Sequence, residues 1–190
     1  MKEQPPTGDA LGFGGLKLQP SLVAAVTALG YEEPTPIQRE AIPLLLEGRD
    51  LVGQAGTGTG KTAAFILPIL DRLARTGATK TRAARALVLV PTRELAMQVA
   101  EATHKYARGS RLNVVPLYGG APMDQQIRAL SRGAEFGGKN QQLVHSMTVH
   151  IQHLKDVALR FESLSFLGHV TECFHYKTSK GLVLATGLAA

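Results

Sequence analysis

A chain of 190 residues, 44% hydrophobic and 19% charged, is long enough to bury one core, and that composition excludes a disordered polymer. No apolar run approaches the roughly 18 residues that a membrane-spanning helix needs, and the polar start containing Pro5 and Pro6 excludes a secretory signal. One cysteine, Cys173, cannot form an internal disulfide, which fits a reducing cytoplasm, and the net charge of +6 suits a polyanionic partner.

Residues 1–10 read as a flexible N-terminus. Leu22, Val26 and Leu29 then mark an amphipathic helix, which Gly30 is placed to end in a left-handed cap. Thr35-Pro36-Ile37-Gln38 opens a second helix, with Thr35 as N-cap, Pro36 at the first helical position and Gly48 beyond the last periodic residues. A short strand is expected over Asp50 to Gly53, followed by a glycine-rich turn. The next helix carries Phe65, Ile66, Ile69, Leu70 and Leu73 at helical spacing. Ala86 to Val90 is continuously apolar, as in a strand covered on both faces, and Val114 to Leu117 offers another strand. Helices between buried strands predict a parallel sheet, which binds its ligands at the carboxyl ends of the strands.

The glycine-rich turn is Ala55-Gly56-Thr57-Gly58-Thr59-Gly60-Lys61-Thr62. Glycines let backbone N–H groups turn inward as a nest for phosphate oxygens, and the helix that starts here adds its positive end. Lys61 is placed to reach the β- and γ-phosphates, and the Thr62 hydroxyl to hold Mg²⁺ through the nucleotide. Ala55 stands where the strict pattern has glycine, so the loop is a variant. A flexible linker containing Lys-Thr is the plainer reading, but the strand before it and the helix after it argue against that. Kinases, GTPases and motor ATPases share such a loop, so the discrimination must come from its surroundings.

Those surroundings resemble the DEAD-box ATP-dependent RNA helicases. Gly30-Tyr31-Glu32-Glu33-Pro34-Thr35-Pro36-Ile37-Gln38 is similar to that family's adenine motif, with Phe13 upstream at the matching distance. The resemblance implies that Gln38 hydrogen-bonds the adenine edge of ATP while Phe13 packs on the ring. Thr35-x-x-Gln38 also fits a capping box, in which Gln38 reaches back to the helix start. Pro91-Thr92-Arg93-Glu94-Leu95-Ala96 and Gly119-Gly120 resemble two family motifs that contact the RNA backbone, implying RNA-facing roles for Pro91, Thr92, Arg93, Gly119 and Gly120. The expected fold class is therefore α/β, a RecA-like phosphate-loop parallel sheet with flanking helices, incomplete, and the resemblance covers residues 11–133.

Residues 134–190 differ in character. All ten prolines precede residue 123, while five of the six histidines follow residue 140. The family's Thr-Pro-Gly-Arg, Asp-Glu-Ala-Asp and Ser-Ala-Thr motifs are missing from this segment, so no catalytic acidic residue can be assigned. Leu143, Met147, Ile151, Leu154, Ala158 and Phe161 suggest an amphipathic helix, and Leu182-Val183-Leu184 a short strand. The histidines and Cys173 show no zinc spacing. The expectation is a truncated or frame-shifted helicase front part, lacking the second domain, that binds ATP or ADP with Mg²⁺ but does not unwind RNA. The alternative is a non-catalytic nucleotide- or RNA-binding fragment that competes with a full-length helicase.

Overall fold

The computed structural model describes residues 12–76, 85–90, 92–110, 112–135, 145–150, 173–179 and 182–187. A short 3-10 turn, Phe13–Leu16, leads into helices α1 (Pro20–Ala28) and α2 (Pro36–Leu46), strand β1 (Leu51–Gln54) and helix α3 (Lys61–Arg75). Strand β2 (Ala86–Leu89), helix α4 (Arg93–Tyr106), strand β3 (Leu112–Leu117) and helix α5 (Met123–Glu135) follow in alternation. Strands β4 (His145–His150), β5 (Cys173–Ser179) and β6 (Leu182–Gly187) complete the elements.

The helices form where spacing and caps direct them. In α1, Leu22 and Val26 are buried, whereas Leu29 is the C-cap and 37% exposed. Helix α2 starts on Thr35 and Pro36 and buries Gln38, Ala41, Ile42 and Leu45. Helix α3 buries Phe65, Ile66, Ile69, Leu70 and Leu73, together with Ala63, Ala64 and Leu67, so it is covered on nearly every side. Pro68 in its interior removes one backbone donor. The helix continues through it, since tertiary packing rather than propensity supplies most helical stability.

The six strands form one sheet in the order β1-β5-β6-β2-β4-β3. Strand β2 pairs in parallel with both β4 and β6, and β3 in parallel with β4. Strand β5 is antiparallel to both of its neighbours, β1 and β6. Five strands thus run one way, as expected of a parallel sheet, and β5 alone runs against them. The reason is connection length: β5 and β6 are two residues apart, and only antiparallel strands can be joined so tightly.

The segment after residue 133 supplies three of the six strands. Strand β6 contains Leu182 to Leu184, as expected. The helix expected through Met147 is not formed there; residues 145–150 are strand β4, threaded between β2 and β3 with Ala86 opposite Met147 on one side and Val114 opposite it on the other. Leu143, Ile151, Leu154, Ala158 and Phe161 lie outside the described residues. Among the described residues, no helix is long and apolar enough to cross a membrane.

Candidate nucleotide and RNA sites

Strands β1, β2 and β3 point the same way, so their carboxyl ends share one edge of the sheet, where ligands of such sheets bind. The residues after β1 are the phosphate loop. Those after β2 are Thr92 and Arg93, and those after β3 are Tyr118, Gly119 and Gly120. Strands β1 and β3 are the two outer strands. At about 4.8 Å per strand, the loop and the glycine pair stand about 24 Å apart along one edge.

Helix α3 begins at Lys61, with Gly60 as its N-cap at φ 87°. The first backbone donors of the helix therefore have no partner within it. Lys61 Nζ donates to the carbonyls of Ala55 and Gly56, the latter at 2.8 Å, and Thr59 Oγ1 donates to Gly56 O at 2.7 Å. Ala55, half-buried, thus takes part through its carbonyl. Gly56, Thr57 and Gly58 are exposed, and Thr62 is half-buried in the first turn of α3. A Cβ on Gly58 would meet nothing within 4 Å, so the loop faces open space. Residues 55–62 hold one ammonium, three hydroxyls and no carboxylate. That donor set fits a phosphate chain carrying Mg²⁺.

Gln38 is 1% exposed and spans two elements. Its Oε1 accepts from Thr35 N–H at 3.0 Å, forming the Gln38 side of a capping box, while its Nε2 donates to Gly60 O at 3.0 Å. The Thr35 hydroxyl sits in capping position without a hydrogen bond of ordinary geometry, because the Gln38 N–H goes to the Thr35 carbonyl at 3.0 Å. The capping reading of Gln38 is thus seen, and the same carboxamide also braces the phosphate loop, an interaction neither reading anticipated. One N–H of Nε2 and one lone pair of Oε1 remain.

Phe13 is a core residue, 3% exposed, and meets Tyr31 edge-on with ring centroids 6.5 Å apart. The ring expected to pack on adenine thus stands beside Tyr31 of the adenine motif. Tyr31 is 40% exposed and meets Tyr106 edge-on at 6.1 Å. Burial, with the Tyr31 hydroxyl alongside, pushes the Tyr106 phenol well above its usual range.

At the far end of the edge, the Thr92 hydroxyl accepts from Leu95 N–H at 3.2 Å and caps α4. Arg93, its side chain 60% exposed, pairs with Glu94 at 3.6 Å. Its guanidinium also lies 5.7 Å from the centre of the Tyr118 ring, within reach of a cation–π attraction. Gly119 and Gly120 are exposed, and Cβ atoms on them would meet nothing within 4 Å. Pro91 lies outside the described residues. Sequence reasoning missed Tyr118, which joins the two segments expected to face RNA. It precedes Gly-Gly directly, but only the fold brings Arg93 beside it. Among the described residues, no cluster of three His, Cys, Asp or Glu residues could hold a metal ion directly.

The DEAD/DEAH box helicase profile matches residues 35–167, more than two thirds of the chain. The chain belongs to the DEAD/DEAH box helicase family. The match begins within the adenine motif and runs on past Gly133, into the segment that lacks the acidic motif. Among curated relatives, the "ATP-dependent RNA helicase DeaD" of Mycobacterium tuberculosis is 44% identical over 166 residues, covering 87% of this chain and 28% of the relative. The protein of the same name from Klebsiella pneumoniae is 46% identical over 156 residues, covering 82% and 23%. The "DEAD-box ATP-dependent RNA helicase CshA" of Bacillus cereus is 41% identical over 151 residues, covering 77% and 28%. This DEAD-box chain therefore spans about a quarter of the length of the relatives it matches. The crystal structure of a DEAD box protein from Methanococcus jannaschii superposes with a TM-score of 0.56 at 33% identity, over 72% of this chain and 34% of that one. The α/β RecA-like class is thereby the class of this fold.

Proposed function

We propose that this chain is the ATP-binding front part of an ATP-dependent RNA helicase, holding adenine nucleotide with Mg²⁺ at one end of its sheet edge and RNA backbone at the other. The observation that carries the reading is the phosphate loop on the end of β1, opening helix α3 with Lys61 at its rim and Gln38 braced beneath it. The backbone donors of residues 58–62 and Lys61 take the phosphates, and Thr62 takes Mg²⁺. When bound, Mg²⁺ neutralises charge that develops on the phosphate oxygens. The remaining donor and acceptor of Gln38 match an adenine edge, so base recognition rests on Gln38 with Tyr31 beside its segment. Phe13 supports that segment from the core. Pro91, Arg93, Gly119 and Gly120 face the RNA backbone, with Thr92 capping α4. The sequence has no Asp-Glu-Ala-Asp to position an attacking water, so nucleotide binding without rapid turnover is the activity proposed for this chain, located in the cytoplasm.

Titration of the 190-residue chain with a fluorescent ADP derivative and Mg²⁺ tests the nucleotide half. Lys61→Ala is expected to weaken binding about 10- to 100-fold, the equivalent of one charge-assisted hydrogen bond of ~1.5–3 kcal/mol. Equal affinity in the two proteins would remove the loop from the nucleotide site. For the RNA half, anisotropy of a labelled single-stranded oligonucleotide is followed across a salt series. Arg93→Ala is expected to weaken binding and to lower the salt slope by about one. An unchanged slope would take Arg93 off the RNA.

A further inference from the structure

We propose that Gln126 is the positioning residue of the RNA-facing turn, fixing the backbone donors of Gly119 and Gly120 from behind; this rests on the RNA reading of that face. Gln126 stands in the first turns of α5 and sends its carboxamide back to the turn after β3. Its Oε1 accepts from Tyr118 N–H at 3.0 Å. Its Nε2 donates to Tyr118 O at 3.2 Å and to Ala121 O at 3.2 Å. One side chain thus uses an acceptor and both of its donors on the two ends of a four-residue turn. Between those ends, the N–H groups of Gly119 and Gly120 make no hydrogen bond among the described residues.

Both glycines are exposed, with open space where a side chain would stand, and two successive N–H groups without a partner among the described residues are the kind of donors that take an anionic oxygen. Two glycines in series are also the loosest backbone a chain can offer, so their donors converge only if the ends of the turn are held. The Gln126 carboxamide holds both ends. It also fixes Tyr118, whose ring lies beside the Arg93 guanidinium. Arg93 and the glycine donors therefore keep one arrangement through a residue that itself makes no contact with RNA. Nothing in the helical periodicity of α5 marks this glutamine, since its role is read only from where its carboxamide lands.

The test uses Gln126→Met in the full chain, which keeps the side chain's length and helix preference and removes all three hydrogen bonds. RNA affinity is expected to fall about tenfold, as when hydrogen bonds holding a site are lost. The affinity for a fluorescent ADP derivative should stay unchanged. The salt slope should also stay unchanged, because every cationic group remains. With ¹⁵N-glycine labelling, the amide resonances of Gly119 and Gly120 should shift while those of Gly58 and Gly60 stay in place. Should the methionine variant unfold, Gln126→Ala gives the same readouts with no bulk to accommodate. Wild-type RNA affinity in the variant that folds, or unmoved Gly119 and Gly120 resonances, overturns the proposal while leaving the RNA reading intact. A wild-type chain that binds no RNA oligonucleotide overturns the RNA reading and this inference with it.

Discussion

Gly60→Ala is expected to lower the melting temperature by roughly 5–15 °C and to weaken nucleotide binding more than 100-fold, whereas Gly58→Ala has a much smaller effect on stability. Both glycines have positive φ, 87° at Gly60 and 77° at Gly58. A non-glycine residue in that region costs about 1–3 kcal/mol at either position. The two differ in what surrounds them. A Cβ on Gly58 meets nothing within 4 Å, but one on Gly60 would lie 2.3 Å from Gln38 Nε2 and 3.2 Å from the Thr35 hydroxyl. Gln38 has almost no free space, being 1% exposed and tied to Thr35 N–H at its other end. Relief requires breaking the Gln38–Gly60 bond, and a buried amide left without its partner costs about 1–3 kcal/mol more. That loss also frees the N-cap of α3, so the loop donors lose their aim. Thermal unfolding by circular dichroism, with nucleotide titration of both variants, separates the terms. Equal melting temperatures for the two variants would mean that Gln38 does not brace the loop.

What was legible in the sequence follows from which interactions are local. Helices α1, α2 and α3 announce themselves through apolar spacing, a threonine cap before Pro36 and glycines after the last turns, all features within a few residues of one another. Strand β2 is legible because a strand covered on both faces reads as a continuous apolar run. Strand β4 was hidden. Its neighbourhood places Leu143, Met147 and Ile151 four residues apart, a helical period, while His145–His150 itself is short and mostly polar in sequence. Pairing with β2 on one side and β3 on the other decides its conformation, and strand preference depends on such neighbours more than on the residues themselves. The site divides in the same way. The phosphate loop is contiguous and could be read directly. Gln38 offered two readings, cap or adenine contact. The third interaction, the bond to Gly60 O, crosses 22 residues of sequence and left no local trace. For Phe13 a matching distance in sequence suggested a ligand contact, and the fold adds what no distance could, that its ring is buried and meets Tyr31 edge-on.

Asp71→Ala is expected to destabilise the chain by about 2–4 kcal/mol and to reduce discrimination between adenine and guanine nucleotides more than it reduces phosphate binding. The side chain of Asp71 is 1% exposed. One oxygen accepts from Gln19 N–H at 2.7 Å, and both oxygens take hydrogen bonds from Arg75, whose Nη2 also donates to Lys17 O at 2.9 Å. Lys17 is the one positive-φ residue other than glycine among the described residues, at φ 60°. A backbone in that region persists only where its surroundings hold it. Asp71 and Arg75 provide that hold, fastening the strained link between the Phe13–Leu16 turn and α1 onto helix α3. Breaking a buried ion pair by removing one partner costs about 3–5 kcal/mol, and the figure here is set lower because Arg75 is more than half exposed and regains water. Asp71→Asn keeps an acceptor for Gln19 N–H and should lose roughly half as much. The functional consequence follows from the helix. Lys61 and Asp71 lie ten residues apart on α3, about 15 Å along its axis, so one rigid element carries the phosphate loop at its start and the anchor of the Phe13 segment at its end. Loosening the anchor leaves Lys61 in place and frees Phe13, and with it the edge contact that supports Tyr31 in the adenine motif. Chemical denaturation of the two variants, alongside competition of ATP, GTP and tripolyphosphate for the fluorescent ADP derivative, reads both effects. If Asp71→Ala keeps the wild-type ratio of ATP to GTP affinity, the upstream segment contributes stability alone and the adenine site does not depend on it.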